Sequence, residues 1–273
     1  MNQATHMAEI RRRAACPRHS GPGILPGARA WHHLCNLVST ITLGFLTVSC
    51  SHSAPLLKQE TRRGQIQYSL HSPETPARQH VILAHGFLRN PQTMAHLAEA
   101  FAKNGIETAC IQLKRSTLWN GNHAENARDM IALRQALGWQ NVSYAGFSAG
   151  GLSALIAASE DSACAKLLLF DPVDYASLGK DAAAKIRIPA LAILGQPGPG
   201  NANRNATAML AAIPGCRIIE IPAATHCDFE DRPSALCHQL TGAKPDAART
   251  AKVHVTLLRE SSLFLKTQPI IQP

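Results

Sequence analysis

The chain has 273 residues, 45% of them hydrophobic and 16% charged, a composition that argues against disorder and against a membrane protein with many spans. Its net charge of +9 divides into +4 before residue 50, from five Arg and one Glu, and +5 from the 22 basic and 17 acidic residues after it. Because those basic side chains are scattered and form no stripe, we expect no nucleic-acid partner.

Residues 1–50 are predicted to be a targeting leader, outside the folded domain. A basic segment precedes residues 34–48, an uncharged and mostly apolar run of 15 residues. A run of this length is typical of a signal peptide and is short for a helix that spans a bilayer. The basic segment is unusually long, which leaves Met7 as an alternative start of translation.

The end of this leader runs from Leu46 to Cys50 with the sequence LTVSC, and it resembles the lipobox of bacterial lipoproteins. In that family a small residue precedes a cysteine that is lipidated and becomes the new N-terminus, although Leu is usual at the position of Thr47. The resemblance implies a membrane anchor at Cys50 and an exported protein in the periplasm or on the outer membrane. An ordinary cleaved signal peptide and an uncleaved anchor are the alternatives.

Residues 51–63 are polar and predicted to be a linker, and residues 64–273 are predicted to form one domain. The domain alternates predicted strands with predicted helices. The strands are 65–70, 81–84, 106–113, 142–146, 166–170, 190–194 and 217–221, and the helices are 91–103, 124–137, 149–159, 207–213 and 246–266. This alternation indicates an α/β fold, with a mostly parallel sheet and helices on both faces. Ligands of such sheets bind where the strands end, so the residues at the strand ends are the candidates for a functional site.

The strongest functional signal is the pentapeptide Gly146-Phe147-Ser148-Ala149-Gly150, which lies between a predicted strand and a predicted helix. A sharp turn there needs glycines, because a side chain two residues either way would collide with the neighbouring strand or helix. The turn would present the hydroxyl group at the helix N-terminus, where free amides favour a developing negative charge. The sequence therefore predicts a nucleophilic serine; a tightly packed start of a small-residue helix is the alternative.

A serine nucleophile needs a base, and the base needs an acid that orients it. Among 13 histidines, His226 follows the last predicted strand across a short loop and is the candidate base. A loop histidine that only forms hydrogen bonds is the alternative. His85 also ends a predicted strand, but it precedes Ser148 in the chain, so we expect it to have another role.

These motifs resemble those of the α/β-hydrolase family over residues 65–266. The resemblance depends on His85-Gly86-Phe87 after a buried strand, on the Gly-x-Ser-x-Gly turn and on a histidine after the last strand. It implies the α/β-hydrolase fold. It also implies that the backbone amides of Phe87 and Ala149 form an oxyanion hole for the charge that develops on a carbonyl oxygen.

The position of the acid departs from the commonest pattern of that family. Most members carry it after the strand that corresponds to residues 190–194, but the loop 195–201 contains no carboxylate. The preceding strand ends in Asp171-Pro172-Val173-Asp174, which is similar to the Asp-Pro element of pancreatic-type lipases and chlorophyllases. The similarity implies that Asp171 is the acid, with Asp174 as its rival. Asp228 is disfavoured because it is too close in sequence to His226.

The cysteines bear on the loop that carries His226. Five remain after the leader and Cys50, namely Cys110, Cys164, Cys216, Cys227 and Cys237, and an odd number leaves at least one free thiol in an oxidising compartment. A bridge between Cys227 and Cys237 would restrain the loop, but the spacing alone fixes no pairing, and five free thiols are the alternative.

The predicted function is a serine hydrolase that cleaves a small or medium carboxylic ester through an acyl-enzyme, with Ser148, Asp171 and His226 as catalytic residues. Lipases, thioesterases and amide hydrolases use the same constellation and stay open as alternatives. A non-catalytic envelope-binding protein with this fold is a further alternative. No spacing of cysteine and histidine indicates a zinc site and no dinucleotide motif is present, so we expect neither metal nor cofactor.

Overall fold

The computed structural model describes residues 54–114, 121–233 and 235–267. The predicted leader and its predicted lipidation site, Cys50, lie outside the described residues. Within the described ranges, no helix combines the length and the apolar character needed to cross a bilayer.

The centre of the domain is an eight-stranded sheet. Its strands are β1 (Leu56–Thr61), β2 (Gly64–His71), β3 (Gln79–Ala84), β4 (Ile106–Ile111), β5 (Val142–Phe147), β6 (Cys164–Phe170), β7 (Ala190–Leu194) and β8 (Arg217–Glu220). They lie in the order β1-β2-β4-β3-β5-β6-β7-β8. Strands β3 to β8 are parallel to one another, whereas β2 pairs antiparallel with both β1 and β4 at one side of the sheet. The predicted α/β class with a mostly parallel sheet is confirmed.

Helices cover both faces of the sheet. They are α1 (Ala95–Lys103), α2 (His123–Ala136), α3 (Ala149–Glu160), α4 (Leu178–Ala183), α5 (Thr207–Ala211), α6 (Ala235–Thr241) and α7 (Ala247–Lys266), with short 3-10 helices at Pro91–Met94, Pro199–Asn201 and His226–Phe229. Phe101 of α1 and Leu257 of α7 belong to the buried cluster on one face. Met130 of α2, Leu152 of α3 and Met209 of α5 belong to the cluster on the other face.

Burial explains why the central strands were recognisable in the sequence. Every residue of β4, β5 and β7 is buried, because helices cover both faces of a parallel sheet and leave no polar side for the strand. Such strands are short and mostly apolar: β7 is an uninterrupted apolar run, whereas β4 contains the buried Glu107 and Thr108, and β5 contains the buried Ser143. The short strand β8, at the other edge, is mostly exposed.

The sheet begins earlier in the chain than predicted. Residues 51–63 were predicted to be a linker, but Leu56–Thr61 form β1, which pairs with β2 from Leu56 opposite Ser69 to Thr61 opposite Gly64. The linker prediction is therefore wrong for these residues. Half-buried and exposed residues alternate along β1, so this edge strand has a polar sequence with no apolar run. The short helices α4 and α6 were also missed.

A buried ionic network joins α2, β5 and the end of α3. The guanidinium of Arg134 donates to both carboxylate oxygens of Asp161, at 3.1 and 3.0 Å, and the hydroxyl of Tyr144 donates to Asp161 at 2.5 Å. The side chains of Arg134 and Asp161 are only 9% and 5% exposed. Removing one partner of such a pair leaves a buried charge without compensation.

We therefore expect Asp161→Ala to lower the free energy of unfolding by about 3 kcal/mol or more. Urea denaturation followed by circular dichroism measures this change. The adjacent Glu160, which is exposed at the end of α3, provides the control variant Glu160→Ala. A loss for Asp161→Ala no larger than that for the control would contradict the assigned role of the network.

Candidate active site

The turn between β5 and α3 brings Ser148 into a strained backbone conformation, with φ 53° and ψ −122°. A Cβ atom added to Gly146 would lie 2.2 Å from the carbonyl oxygen of Gly150, and one added to Gly150 would lie 2.3 Å from the carbonyl oxygen of His85. Both glycines are therefore required by close backbone contact, as the pentapeptide predicts. Ser148 occupies the position before the first residue of α3, at the helix N-terminus.

His226 lies next to this serine. Its Nε2 atom is 2.9 Å from the hydroxyl oxygen of Ser148, and its ring packs on that of Phe147 with centroids 4.6 Å apart. The residue opens the 3-10 helix His226–Phe229, which begins after a cap formed by Thr225 and Asp228. Local backbone structure therefore positions the imidazole before any substrate is present.

Asp171, at the end of β6, is fully buried and contacts the other side of the imidazole. Its Oδ2 lies 2.6 Å from Nδ1 of His226. Because the carboxylate accepts the proton on Nδ1, Nε2 presents a lone pair to the hydroxyl of Ser148, which donates. The three side chains thus form a continuous chain of hydrogen bonds from the serine to the buried acid.

The loop after β7 contributes a residue that the sequence analysis missed. Asn201 donates through Nδ2 to both oxygens of Asp171, each at 3.1 Å, and the amide of Gly195 donates to Oδ1 at 2.9 Å. The loop after β7, which contains no carboxylate of its own, therefore orients the carboxylate of Asp171 at the end of the neighbouring strand β6. Asn201 could have been predicted from its position in the loop 195–201, which is where most members of the α/β-hydrolase family carry the acid.

The two other acids near the site have structural partners. Oδ1 of Asp174 accepts from the amides of Tyr175 and Gly179, both at 2.8 Å, at the start of α4. Burial acts to raise the pKa of Asp228, but hydrogen bonds led by those of Arg249 and Thr250 outweigh it and lower that pKa. Among the described hydrogen bonds, the carboxylate that pairs with the ring of His226 is that of Asp171.

The segment predicted to form an oxyanion hole lies beside the serine. A Cβ atom added to Gly86 would lie 3.4 Å from Cβ of Ser148, so Gly86, which immediately precedes Phe87, lies close to the candidate nucleophile. Ala149 is the first residue of α3. The roles of the Phe87 and Ala149 amides stay a prediction.

His85 fixes the position of that loop. Its Nδ1 donates to the carbonyl oxygen of Gly86 at 2.8 Å, and its Nε2 accepts from the amide of Leu113 at 3.1 Å. Burial lowers the pKa of His85 to about 4, so the ring is neutral near pH 7 and can accept through Nε2. This is a positioning role, distinct from that of the base.

A buried ion pair connects the same loop to the segment that carries the base. Nε of Arg89 donates to both carboxylate oxygens of Glu230, at 2.8 and 2.9 Å. Burial raises the pKa of Glu230, and the charge of Arg89 opposes that rise. The pair fixes the loop after β3 relative to the loop after β8.

The cysteine pairing left open by the sequence has a definite form in the structure. Cys227 and Cys237 form a disulfide with their Cα atoms 6.0 Å apart, and it joins the residue after His226 to α6. Cys110 and Cys164 are buried thiols, and Cys216 is a partly buried thiol. The bridge restrains the segment on which the candidate base lies.

Solved structures with little sequence in common have the same architecture. The dienelactone hydrolase from Anabaena variabilis ATCC 29413 is 19% identical, with a TM-score of 0.56 over 76% of this chain and 99% of that chain. Est1E from Butyrivibrio proteoclasticus is 15% identical, with a TM-score of 0.60 over 78% of this chain and 99% of that one. An alpha/beta hydrolase fold protein from Nakamurella multipartita is 13% identical, with a TM-score of 0.55 over 77% of this chain and 99% of its own.

The chain has the α/β-hydrolase fold. No family model matches the sequence, and no curated protein matches it either. At these levels of identity the likeness extends to the fold and leaves the substrate open.

Two glycines of the loop after β7 allow a matched test of how His226 is positioned. A Cβ atom added to Gly200 would lie 2.5 Å from Cβ of His226, whereas one added to Gly198 would have no heavy atom within 4 Å. We expect Gly200→Ala to slow the labelling of Ser148 by a fluorophosphonate at least about tenfold, since a displacement near 1 Å can cost about a hundredfold.

The labelling rate is measured by gel fluorescence, and melting by circular dichroism shows that each variant is folded. Gly198→Ala should label at the wild-type rate. Equal labelling of Gly200→Ala and the wild type would show that the contact with Gly200 does not position the base.

Proposed function

We propose that this protein is a serine hydrolase that cleaves carboxylic esters through an acyl-enzyme intermediate. The observation that carries the proposal is the hydrogen-bonded series of Ser148, His226 and Asp171, with contacts of 2.9 and 2.6 Å. A serine, an imidazole and a buried carboxylate in this order are the groups that activate a hydroxyl for attack on a carbonyl carbon.

In the proposed reaction, the oxygen of Ser148 attacks the ester carbonyl while Nε2 of His226 takes the hydroxyl proton. The imidazolium that forms is stabilised by Asp171, which stays ionised. His226 then returns the proton to the leaving alcohol, and the acyl group remains on the serine. A water molecule, deprotonated by the same imidazole, attacks the acyl-enzyme. The imidazolium then returns the proton to the oxygen of Ser148 as the bond to the acyl group breaks, which releases the acid and restores the enzyme.

The negative charge of the tetrahedral intermediate needs donors that are already in place. We assign this role to the amides of Phe87 and Ala149, because the first belongs to the loop packed on Ser148 and the second opens α3. Loss of one such donor typically costs a factor of about 10² to 10³ in rate. Through His85 and the Arg89–Glu230 pair, the fold keeps the Phe87 loop fixed without help from the substrate.

The dimensions of the site favour a small or medium ester. A cleft of about 190 Å³ borders His226 and is lined by residues 196–201 and 241–243. A narrow recess on the other side lies between Phe87, Leu113 and Ala149. Clefts that hold drug-sized ligands typically measure about 300 to 1,000 Å³, so the smaller cleft beside His226 supports shorter acyl chains in this proposal. Est1E has been crystallised with ferulic acid, a compact aromatic acid, and that ligand guides the choice of substrates.

A panel of p-nitrophenyl esters tests the reaction and the acyl size together. We expect the acetate and butyrate to be hydrolysed faster than the palmitate, because the long chain exceeds the cleft. Ser148→Ala should lower kcat by about 10⁴-fold or more, since the nucleophile is lost. Ferulate esters extend the panel to aromatic acids.

Hydrolysis by Ser148→Ala at the wild-type rate would reject the mechanism. A folded wild-type chain that cleaves no ester of the panel would instead favour a binding protein on this fold. Preferential cleavage of p-nitroanilides or of thioesters would move the proposal to amide or thioester hydrolysis by the same residues.

The choice of acid is tested by a matched pair of substitutions. Asp171→Asn should lower kcat by about 10⁴-fold with little change in KM, because Nδ1 of His226 loses its charged partner. Asp174→Asn should leave kcat within a few-fold of wild type, because its contacts support the start of α4. Steady-state kinetics on the best ester of the panel provide both values, and equal small effects of the two substitutions would reject Asp171.

A further inference from the structure

Three side chains from distant parts of the chain converge outside the candidate active site. His96 lies on α1, Asp231 follows the 3-10 helix His226–Phe229, and His254 lies on α7. Each offers one ligand atom, and these atoms all lie within 4.8 Å of one another. Two imidazoles and one carboxylate in such proximity form a set of donors that metal ions use.

The backbone around these residues already holds them in place. The amide of His96 donates to Oδ2 of Asp231 at 2.6 Å, and the amide of Asp231 donates to the carbonyl oxygen of Thr93 at 2.9 Å. Nε2 of His254 lies 3.1 Å from the carbonyl oxygen of Glu230. Ligating histidines commonly make such a contact with a backbone carbonyl, because it fixes the orientation of the ring.

The electrostatics of the cluster favour a cation. The carboxyl of Asp231 is half-buried beside a cavity that the apolar side chains of Leu97 and Leu258 also line. A positive ion offsets the cost of an ionised carboxylate in that position. His96 is exposed, so the cluster is open to ions and water from solvent.

We propose that His96, Asp231 and His254 bind a divalent transition-metal ion of the zinc type. Imidazole nitrogen suits Zn²⁺, Co²⁺ and Ni²⁺, whereas Ca²⁺ and Mg²⁺ prefer oxygen ligands alone. Tetrahedral zinc with bonds near 2.1 Å needs ligand atoms roughly 3.4 Å apart, and the exposed imidazole of His96 supplies the small closing movement. Water completes the coordination from the adjoining cavity of about 160 Å³, which these residues line with Leu97 and Leu258.

The bound ion would connect three elements around the candidate base. Asp231 comes five residues after His226, within the ring closed by the disulfide, while α1 and α7 provide the imidazoles. The ion would therefore fasten the segment that carries His226 to the two helices on that face of the sheet. Its role is structural, and the proposed ester hydrolysis has no step on it.

Cobalt binding to the full-length chain tests the site without reference to activity. The protein is purified with a tag that contains no histidine, stripped with a chelator and titrated with Co²⁺, whose visible absorption reports nitrogen ligands and geometry. We expect one Co²⁺ with the spectrum of a four-coordinate site, displaced by Zn²⁺, and a higher Tm in the presence of Zn²⁺. The double variant His96→Ala/His254→Ala should bind Co²⁺ about 100-fold more weakly or worse. Loss of a residue that only hydrogen-bonds to a metal ligand typically costs about 10- to 100-fold in affinity, and this variant loses two ligands.

Two further variants separate ligand loss from a general effect on the fold. Asp231→Asn keeps an acceptor for the amide of His96 but lacks the charge, so it should weaken Co²⁺ binding and abolish the gain in Tm. His80→Ala removes a histidine of β3 outside the cluster and should bind Co²⁺ as the wild type does. Wild-type affinity in the double variant, or no Co²⁺ spectrum in the wild-type chain, would overturn the proposal.

Discussion

The candidate site depends on the close approach of three backbone segments around the turn that carries Ser148. The end of β5, the start of α3 and the end of β3 meet where Gly146 and Gly150 leave no room for a Cβ atom. Strained backbone of this kind costs about 1 to 3 kcal/mol and persists only where the surrounding packing determines it. The same contact that strains Ser148 also sets the distance between the nucleophile and the loop of Phe87, so the two are positioned together.

Asp171 contacts His226 from the end of β6, although the sequence analysis looked for the acid first after β7. Adjacent strands of a sheet lie about 4.8 Å apart, so a carboxylate at the end of either strand can reach the same imidazole. The vacated loop after β7 supplies Asn201 and the Gly195 amide, which donate to Asp171. The fully buried carboxylate of Asp171 thus accepts three hydrogen bonds from this loop and one from Nδ1 of His226. These four hydrogen bonds hold it in one orientation.

Much of the fold could be predicted because its central strands are buried on both faces and therefore appear as apolar runs. The edge strand β1 could not be predicted in this way. One row of its side chains is exposed to water and the other is only half-buried, so the strand has a largely polar sequence. Among the site residues, Ser148 and His226 followed from motifs at strand ends, and Asp171 from a resemblance. Asn201, Arg89 and Glu230 carry no local motif, because their partners lie far away in the sequence. His96, Asp231 and His254 also carry no local motif, because they are too far apart in the sequence to match a metal-binding pattern.

The disulfide between Cys227 and Cys237 makes the covalent structure of the base-bearing loop depend on the compartment in which the chain folds. In an oxidising compartment the ring closes, and the residue next to His226 is bonded to α6. In a reducing cytosol the ring stays open, and the loop relies on the contacts of Asp228 and Glu230 with Arg249 and Arg89. Protein produced in an oxidising compartment and protein produced in a reducing cytosol are therefore two chemical species. A titration of free thiols distinguishes them and should precede any comparison of their activities.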